Sequence, residues 1–353
     1  MAFLKYENVA IRGVSACVPN KVEENKTLPF YAPGEAEQVI ASTGIERRHI
    51  TYDGITASDL CLKAAERLIE NLSWEKDSID LLAFVTQNPD YVNLPNSFVI
   101  HDKLGLSENT ACLDFYHGCP GWVVGMSSIS AMVSTGNIKR VLFLDGDTVT
   151  RMQYAKDREE YPLFGDAGTA TALEYNDNAP AICFNLGTKS DDSVSLIRPY
   201  GGYRNPYTPE TLQRELDMRS GAISDFSSVG KMDGMDVFSF AITKAPKSIK
   251  KLCVEYDINI DGIDNLFMHQ ANKLILESIA KRVKVPVEKV PLSLTNYGNT
   301  VAASIPLTMV AERSMELSSK RQNNLACSFG TGLAWGAVYF ETDHIVVPEI
   351  IEM

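Results

Sequence analysis

Ile79-Asp80-Leu81-Leu82-Ala83-Phe84-Val85-Thr86-Gln87-Asn88 comes back, altered, as Ile263-Asp264-Asn265-Leu266-Phe267-Met268-His269-Gln270-Ala271-Asn272. Each is a short apolar run closing on polar residues, the pattern of a buried strand. Each follows a helical stretch that begins Lys-Ala, Lys63–Leu72 in one case and Lys244–Val254 in the other. Further along, Gly118-Cys119 precedes the helix-like run Trp122–Ser134, and Gly298-Asn299 precedes Val301–Leu317. Asp166-Ala167-Gly168-Thr169-Ala170 and Gly330-Thr331-Gly332-Leu333-Ala334 then lead into apolar strands. The order helix, strand, elbow, helix, small-residue turn, strand is shared, so duplication is the better account. It predicts an α/β fold of two similar halves, 1-178 and 179-353. The polar cluster Tyr175-Asn176-Asp177-Asn178-Ala179-Pro180 is the expected linker. In such sheets ligands bind at the carboxyl ends of strands. His269, Cys119 and Asn299 all fall there or at the elbows that follow.

Gly118-Cys119-Pro120-Gly121 is the most chemically pointed of these elbows, coming just after the run Ala111–Tyr116. Proline is well tolerated at the first helical position, so Cys119 is expected at a helix N-terminus. There the free N–H groups and the helix dipole favour thiolate over thiol, and a thiolate is a nucleophile suited to covalent catalysis. Taken alone, a buried structural cysteine is the commoner case.

The 353 residues are 45% apolar and 22% charged, an ordinary globular balance. No apolar run has the length of a membrane span, and the opening MAFLKYENVAIRG lacks a signal peptide's layout. Seven cysteines are scattered without CxxC pairing, which points to reduced thiols and a cytoplasmic location. None has metal-ligand spacing, so no metal is expected. A formal net charge of −12 disfavours nucleic acid, and any acidic partner must find a local basic island.

The pattern Asp114…Gly118-Cys119-Pro120-Gly121-Trp122…Gly125 resembles the cysteine elbow of the β-ketoacyl-acyl-carrier-protein synthase III family. So do His269-Gln270-Ala271-Asn272 and Tyr297-Gly298-Asn299-Thr300-Val301-Ala302-Ala303-Ser304-Ile305-Pro306. Thr43-Gly44-Ile45-Glu46-Arg47-Arg48, Leu163-Phe164-Gly165-Asp166 and Phe329-Gly330-Thr331-Gly332-Leu333-Ala334-Trp335-Gly336 follow the family's order across almost the whole chain. The resemblance implies a thiolase fold, a five-layered α-β-α-β-α sandwich working as a homodimer. It also implies a catalytic triad of Cys119, His269 and Asn299. Coenzyme A or phosphopantetheine thioesters would be the substrates, and acyl carrier protein the partner.

Two departures bear on substrate. Relatives that use coenzyme A commonly stack adenine on a tryptophan five residues before Thr-Gly-Ile, with an arginine directly before that motif. Here those positions are Gln38 and Ser42. Arg158 matches the second adenine-contacting arginine, and with Asn272 makes up the expected cofactor-binding set. Thr331 stands where the family usually has glycine in its oxyanion loop, and its backbone N–H serves if a β-branched residue tolerates the local angles.

Decarboxylative condensation needs a sulfur nucleophile, N–H donors for a tetrahedral oxyanion, and donors for the enolate left when CO2 departs. The backbone N–H groups of Cys119 and Thr331 are expected to supply the oxyanion donors, and His269 and Asn299 the enolate donors. Asparagine donates without acting as acid or base, which suits an enolate. His117 reads as structural. Alone, His269 reads equally well as a core histidine and Asn299 as a turn residue.

Lys244, Lys247 and Lys251 share one helix face, and Lys281 and Arg282 form a second cluster beyond Lys273. They are expected around the tunnel mouth as the carrier-docking surface, although a solvated helix face is the commoner reading. Residues 190-235, without periodicity, are the expected substrate-shaping cap. Leu94 resembles the position from which a partner subunit caps the acyl pocket. Condensation of an acyl thioester with malonyl-acyl carrier protein is the leading expectation. Transfer to an amine, hydroxyl or β-keto acid in specialised-metabolite or surface-glycan biosynthesis is the alternative. A non-catalytic acyl-binding subunit and a cysteine hydrolase are weaker readings.

Overall fold

The computed structural model describes residues 2–52, 54–154, 156–190, 195–220 and 231–353. The first sheet runs, edge to edge, β15 (Ile351–Glu352), β2 (Val9–Val18), β8 (Ala167–Tyr175), β7 (Arg140–Asp147), β5 (Leu81–Thr86) and β6 (Ala111–Tyr116). The second runs β1 (Ala2–Tyr6), β9 (Ile182–Thr188), β14 (Ala334–Thr342), β13 (Gln322–Gly330) and β12 (Asn265–Met268). Two short ladders, β3 (Val22–Glu24) with β4 (Arg47–His49) and β10 (Leu196–Ile197) with β11 (Lys231–Met232), lie outside them.

The strands beginning at Leu81 and Asn265 hold equivalent places. β5 pairs parallel with β7, which runs antiparallel to β8. Likewise β12 pairs parallel with β13, which runs antiparallel to β14. The internal likeness in the sequence is therefore a likeness of topology. Both strands are buried along their whole length, which explains apolar runs in place of alternation.

The helices are α1 (Glu35–Thr43), α2 (Ala57–Leu72), α3 (Asn96–Leu104), α4 (Gly121–Ser134), α5 (Pro209–Ser220), α6 (Gly234–Glu255), α7 (Lys273–Val283), α8 (Leu294–Tyr297) and α9 (Ser304–Ser319). α2 and α3 cover the outer face of the first sheet, and α6 with α7 cover that of the second. α4 and α9 lie between the sheets and touch both, giving five layers, the thiolase fold. Where the middle layer meets the sheets its faces are apolar. Trp122, Val123, Met126 and Ile129 of α4 and Ile305, Leu307 and Met309 of α9 belong to one core with Phe143, Phe184, Phe267 and Phe340. α2 starts where Asp59 accepts from both the backbone N–H and the hydroxyl of Thr56, a cap that contributes about 1 kcal/mol.

Two sequence expectations need amendment. The chain halves are not self-contained, because β1 joins the second sheet and β15 joins the first. Residues 176–181 do join β8 of one sheet to β9 of the other. The cap carries a helix that periodicity did not reveal: α5, whose Pro-Glu-Thr-Leu-Gln-Arg-Glu-Leu-Asp-Met-Arg-Ser sequence is polar almost all round. Parts of that cap, 191–194 and 221–230, lie outside the described residues. Among the described residues no helix is long and apolar enough to cross a membrane, and no His, Cys, Asp and Glu cluster could hold a metal.

Candidate active site

β6 of the first sheet and β12 of the second bring their carboxyl ends to one cavity of about 530 Å³. Cys119, His269, Asn299 and Thr331 all line it. So do Gln87, Tyr116, Phe164, Arg198, Phe238 and Phe329. The wall is mostly apolar with a few converging polar groups, the usual make-up of a small-molecule site.

Cys119 sits in the turn between β6 and α4, two residues before the first helical residue. Its backbone carbonyl accepts the hydroxyl of Ser328 on β13 at 2.6 Å, a bond that ties the elbow to the opposite sheet. The backbone N–H groups of Thr331 and of Cys119 itself point at the sulfur, which favours its charged form. Thr331 keeps an ordinary negative φ, while Gly332 takes +139°. Gly330 permits the close approach: a Cβ there would lie 2.6 Å from Cys119 Cβ and 2.8 Å from Sγ.

The thiol itself departs from expectation. Burial first, and then the carboxyl of Asp147, push it up to about 12, against the pull of those two N–H groups. The resting group is therefore a thiol, and proximity to a helix start does not make it acidic. Pro120 stands at the cap and Gly121 is the first helical residue, so the sulfur lies one step further from the helix than the sequence suggested. Asp147 shares a strand face with Asp145, both fully buried at the end of β7. Burial raises both carboxyls, Asp147 to about 8. The Asp147 carboxyl accepts from Thr86 Oγ1 and the Gln87 backbone, each at 3.0 Å.

His269 follows β12 directly and is 2% exposed. Its Nδ1 lies 3.1 Å from the Val301 carbonyl oxygen and 2.9 Å from Ser304 Oγ. The Phe329 ring meets it edge-on at 5.5 Å. Burial pushes the imidazole down to about 4, so the ring is neutral at pH 7. Asn299 is positioned by Val301, whose backbone N–H donates to Asn299 Oδ1 at 2.9 Å. That leaves the amide NH2 to face the cavity. Val301 has φ +54°, which costs a β-branched residue of order 1–3 kcal/mol. This strained turn presents its N–H to one donor residue and its carbonyl to the other.

The remaining predicted residues divide. Arg158 pairs with Glu35 and sits 6.0 Å over the Tyr31 ring, which packs against Phe30. An aromatic group thus stands beside this arginine although Gln38 is not aromatic, and sequence spacing did not reveal it. Asn272 lines the cavity but spends its side-chain oxygen on capping α7, accepting from the Ile275 backbone at 2.9 Å. His117 is half-buried, outside the cavity lining.

Lys247, Lys250, Lys251 and Arg282 do gather, but at a second cavity with an apolar floor of Phe3, Ile242, Pro246 and Val254. No lining residue is shared with the first cavity, so these cations do not ring its mouth. Lys244 turns instead over the Trp335 ring at 5.1 Å. Lys273 lies 3.9 Å from Glu277, and Lys281 is exposed.

Residues 113–190 match the family model for 3-oxoacyl-[acyl-carrier-protein] synthase III, and residues 253–342 match that for its C-terminal part. The β-ketoacyl-[acyl-carrier-protein] synthase III of Acaryochloris marina is 31% identical over 94% of this chain and 97% of its own. The solved 3-oxoacyl-(acyl-carrier protein) synthase of Burkholderia xenovorans superposes with a TM-score of 0.91 at 32% identity, covering 100% of this chain and 99% of its own. The corresponding synthase III of Pseudomonas aeruginosa gives 0.83 at 26%, covering 96% and 100%. An elbow bearing Cys119 after β6, His269 after β12 and the turn at Asn299 after α8 thus meet at one cavity in a chain that belongs to the β-ketoacyl-acyl-carrier-protein synthase III family.

Proposed function

We propose that the chain condenses an acyl thioester with malonyl-acyl carrier protein, releasing CO2 and forming a β-ketoacyl thioester. The observation that carries this is the convergence of Cys119, His269 and Asn299 on one cavity, with two backbone N–H groups aimed at the sulfur.

Cys119 attacks the acyl carbonyl, its proton leaving with the departing thiol, and holds the acyl group as a thioester. The N–H groups of Cys119 and Thr331 receive the oxyanion. Malonyl thioester then loses CO2, and the enolate oxygen takes hydrogen bonds from His269 Nε2 and Asn299 Nδ2. Carbon attack on the acyl-cysteine releases the sulfur, which regains a proton. An imidazole held neutral suits hydrogen-bond donation better than proton storage.

For the donor we place coenzyme A against Tyr31 and Arg158, with Glu35 fixing the guanidinium. Acyl carrier protein docks on the basic groove of Lys247, Lys250, Lys251 and Arg282, where an acidic protein finds local complementarity on an acidic enzyme. A second copy of the chain pairs along β6, an edge strand flanked by exposed Tyr91, Val92, Leu94, Phe98, Leu113 and Tyr116. Seven free cysteines favour a reducing compartment such as the cytoplasm.

Incubation with a panel of acyl-coenzyme A and acyl-carrier thioesters, followed by mass spectrometry of Cys119 and measurement of CO2 release from malonyl-carrier protein, tests this. Acylation with CO2 release is the expected outcome. Acylation followed by transfer to an amine or hydroxyl, without CO2, would sink it.

A further inference from the structure

The donor role proposed for His269, on which this inference rests, makes a demand on the ring's other nitrogen. A neutral imidazole carries one proton; with that proton on Nε2, Nδ1 is an acceptor. Two groups face Nδ1, the Val301 carbonyl at 3.1 Å and the Ser304 hydroxyl at 2.9 Å. A carbonyl has no proton to give. Alone, it selects the Nδ1–H tautomer, which turns a bare lone pair toward the cavity and offers an enolate nothing.

Ser304 can donate: its one hydroxyl proton has two acceptors within reach, the Val301 oxygen, to which it lies closer, and His269 Nδ1. The Val301 oxygen, 2.7 Å from Ser304 Oγ, already accepts the backbone N–H of Ser304. It keeps a partner when the hydroxyl turns to the ring. The Gln270 backbone N–H donates to Ser304 Oγ at 3.4 Å, which occupies a lone pair and not the hydroxyl proton. At 1% exposure, water does not compete for that proton. We propose that Ser304 is a positioning residue for condensation: its hydroxyl donates to His269 Nδ1 and so holds the Nε2–H tautomer toward the substrate.

Histidine-selective 15N labelling tests this directly, because a ring nitrogen with a proton and one without have well-separated 15N shifts. The chain has only five histidines, and a His269→Gln variant assigns the signal. The native ring is expected to be Nε2–H and the Ser304→Ala ring Nδ1–H. Decarboxylation of malonyl thioester should fall about 10²–10³-fold in Ser304→Ala, the cost of one lost donor, with self-acylation of Cys119 retained. Ser304→Thr, which keeps a hydroxyl, should recover both the tautomer and the decarboxylation rate. A native Nδ1–H ring, or a Ser304→Ala ring still protonated at Nε2, overturns the proposal. The native measurement needs no variant to fold. An Nε2–H ring in an enzyme that releases no CO2 would refute the condensing role while leaving the tautomer assignment standing.

Discussion

The two halves send equivalent strands to the same cavity and finish them differently. β5 ends at Thr86, and Thr86 and Gln87 then serve Asp147, a support beneath the site. β12 ends at Met268, and the next residue is His269 itself. The elbows differ as well. Cys119 leads within two residues into α4, whereas Asn299 passes through the strained turn at Val301 before α9 begins. One half brings Cys119 just ahead of a helix; the other holds His269 and Asn299 through a locally costly backbone at Val301. The halves share a strand topology and place different side chains at its ends.

Replacing Cys119 by alanine tests the nucleophile half most severely. Condensation should drop by roughly 10⁴-fold or more, the scale of losing a covalent nucleophile, and the acyl adduct should vanish from the intact mass. Asn299→Asp strikes the donor half alone. CO2 release should fall about 10²–10³-fold while self-acylation persists; loss of both would erase the division of labour drawn above. Gly330→Ala attacks the contact between halves, since its Cβ would press on Cys119. Overpacking of this kind costs typically about 1–3 kcal/mol, so a lowered melting temperature should accompany slower acylation.

Acidity offers a milder test. With the thiol near 12, the thiolate fraction and the alkylation rate of Cys119 should climb steadily from pH 7 to pH 10, as the group nears its titration from below. A plateau already reached below pH 8 would show an acidified sulfur instead. The smallest effect is expected at the surface. Charge reversal at Lys247 with Arg282 should raise KM for carrier-bound substrate and spare small thioester analogues, as measured by steady-state kinetics on both.

Much of this was legible before any coordinates. Burial on both faces turned β5 and β12 into continuous apolar runs, which made the repeat visible, and Gly-flanked elbows marked Cys119 and Asn299. What escaped depended on distance in the chain. Burial of Cys119, and then Asp147 reaching it from another strand, raise the thiol, and neither could be read from the elbow. Ser304 looked like one small residue in an Ala-Ala-Ser run, and only the fold sets its hydroxyl against His269. Tyr31 comes beside Arg158 through tertiary packing rather than at the spacing where an aromatic was sought. α5 lacked an apolar stripe because its buried face sets Glu215 beside Met218 while Leu212 and Leu216 are exposed.

The traded edge strands reach beyond catalysis. With Ala2–Tyr6 completing the later sheet and Ile351–Glu352 completing the earlier one, each lobe is sealed by a ribbon the other lends. A gene cut at the middle should therefore yield two sticky fragments with unsatisfied ladders, and co-expression rather than mixing of refolded pieces would be the way to rebuild the enzyme.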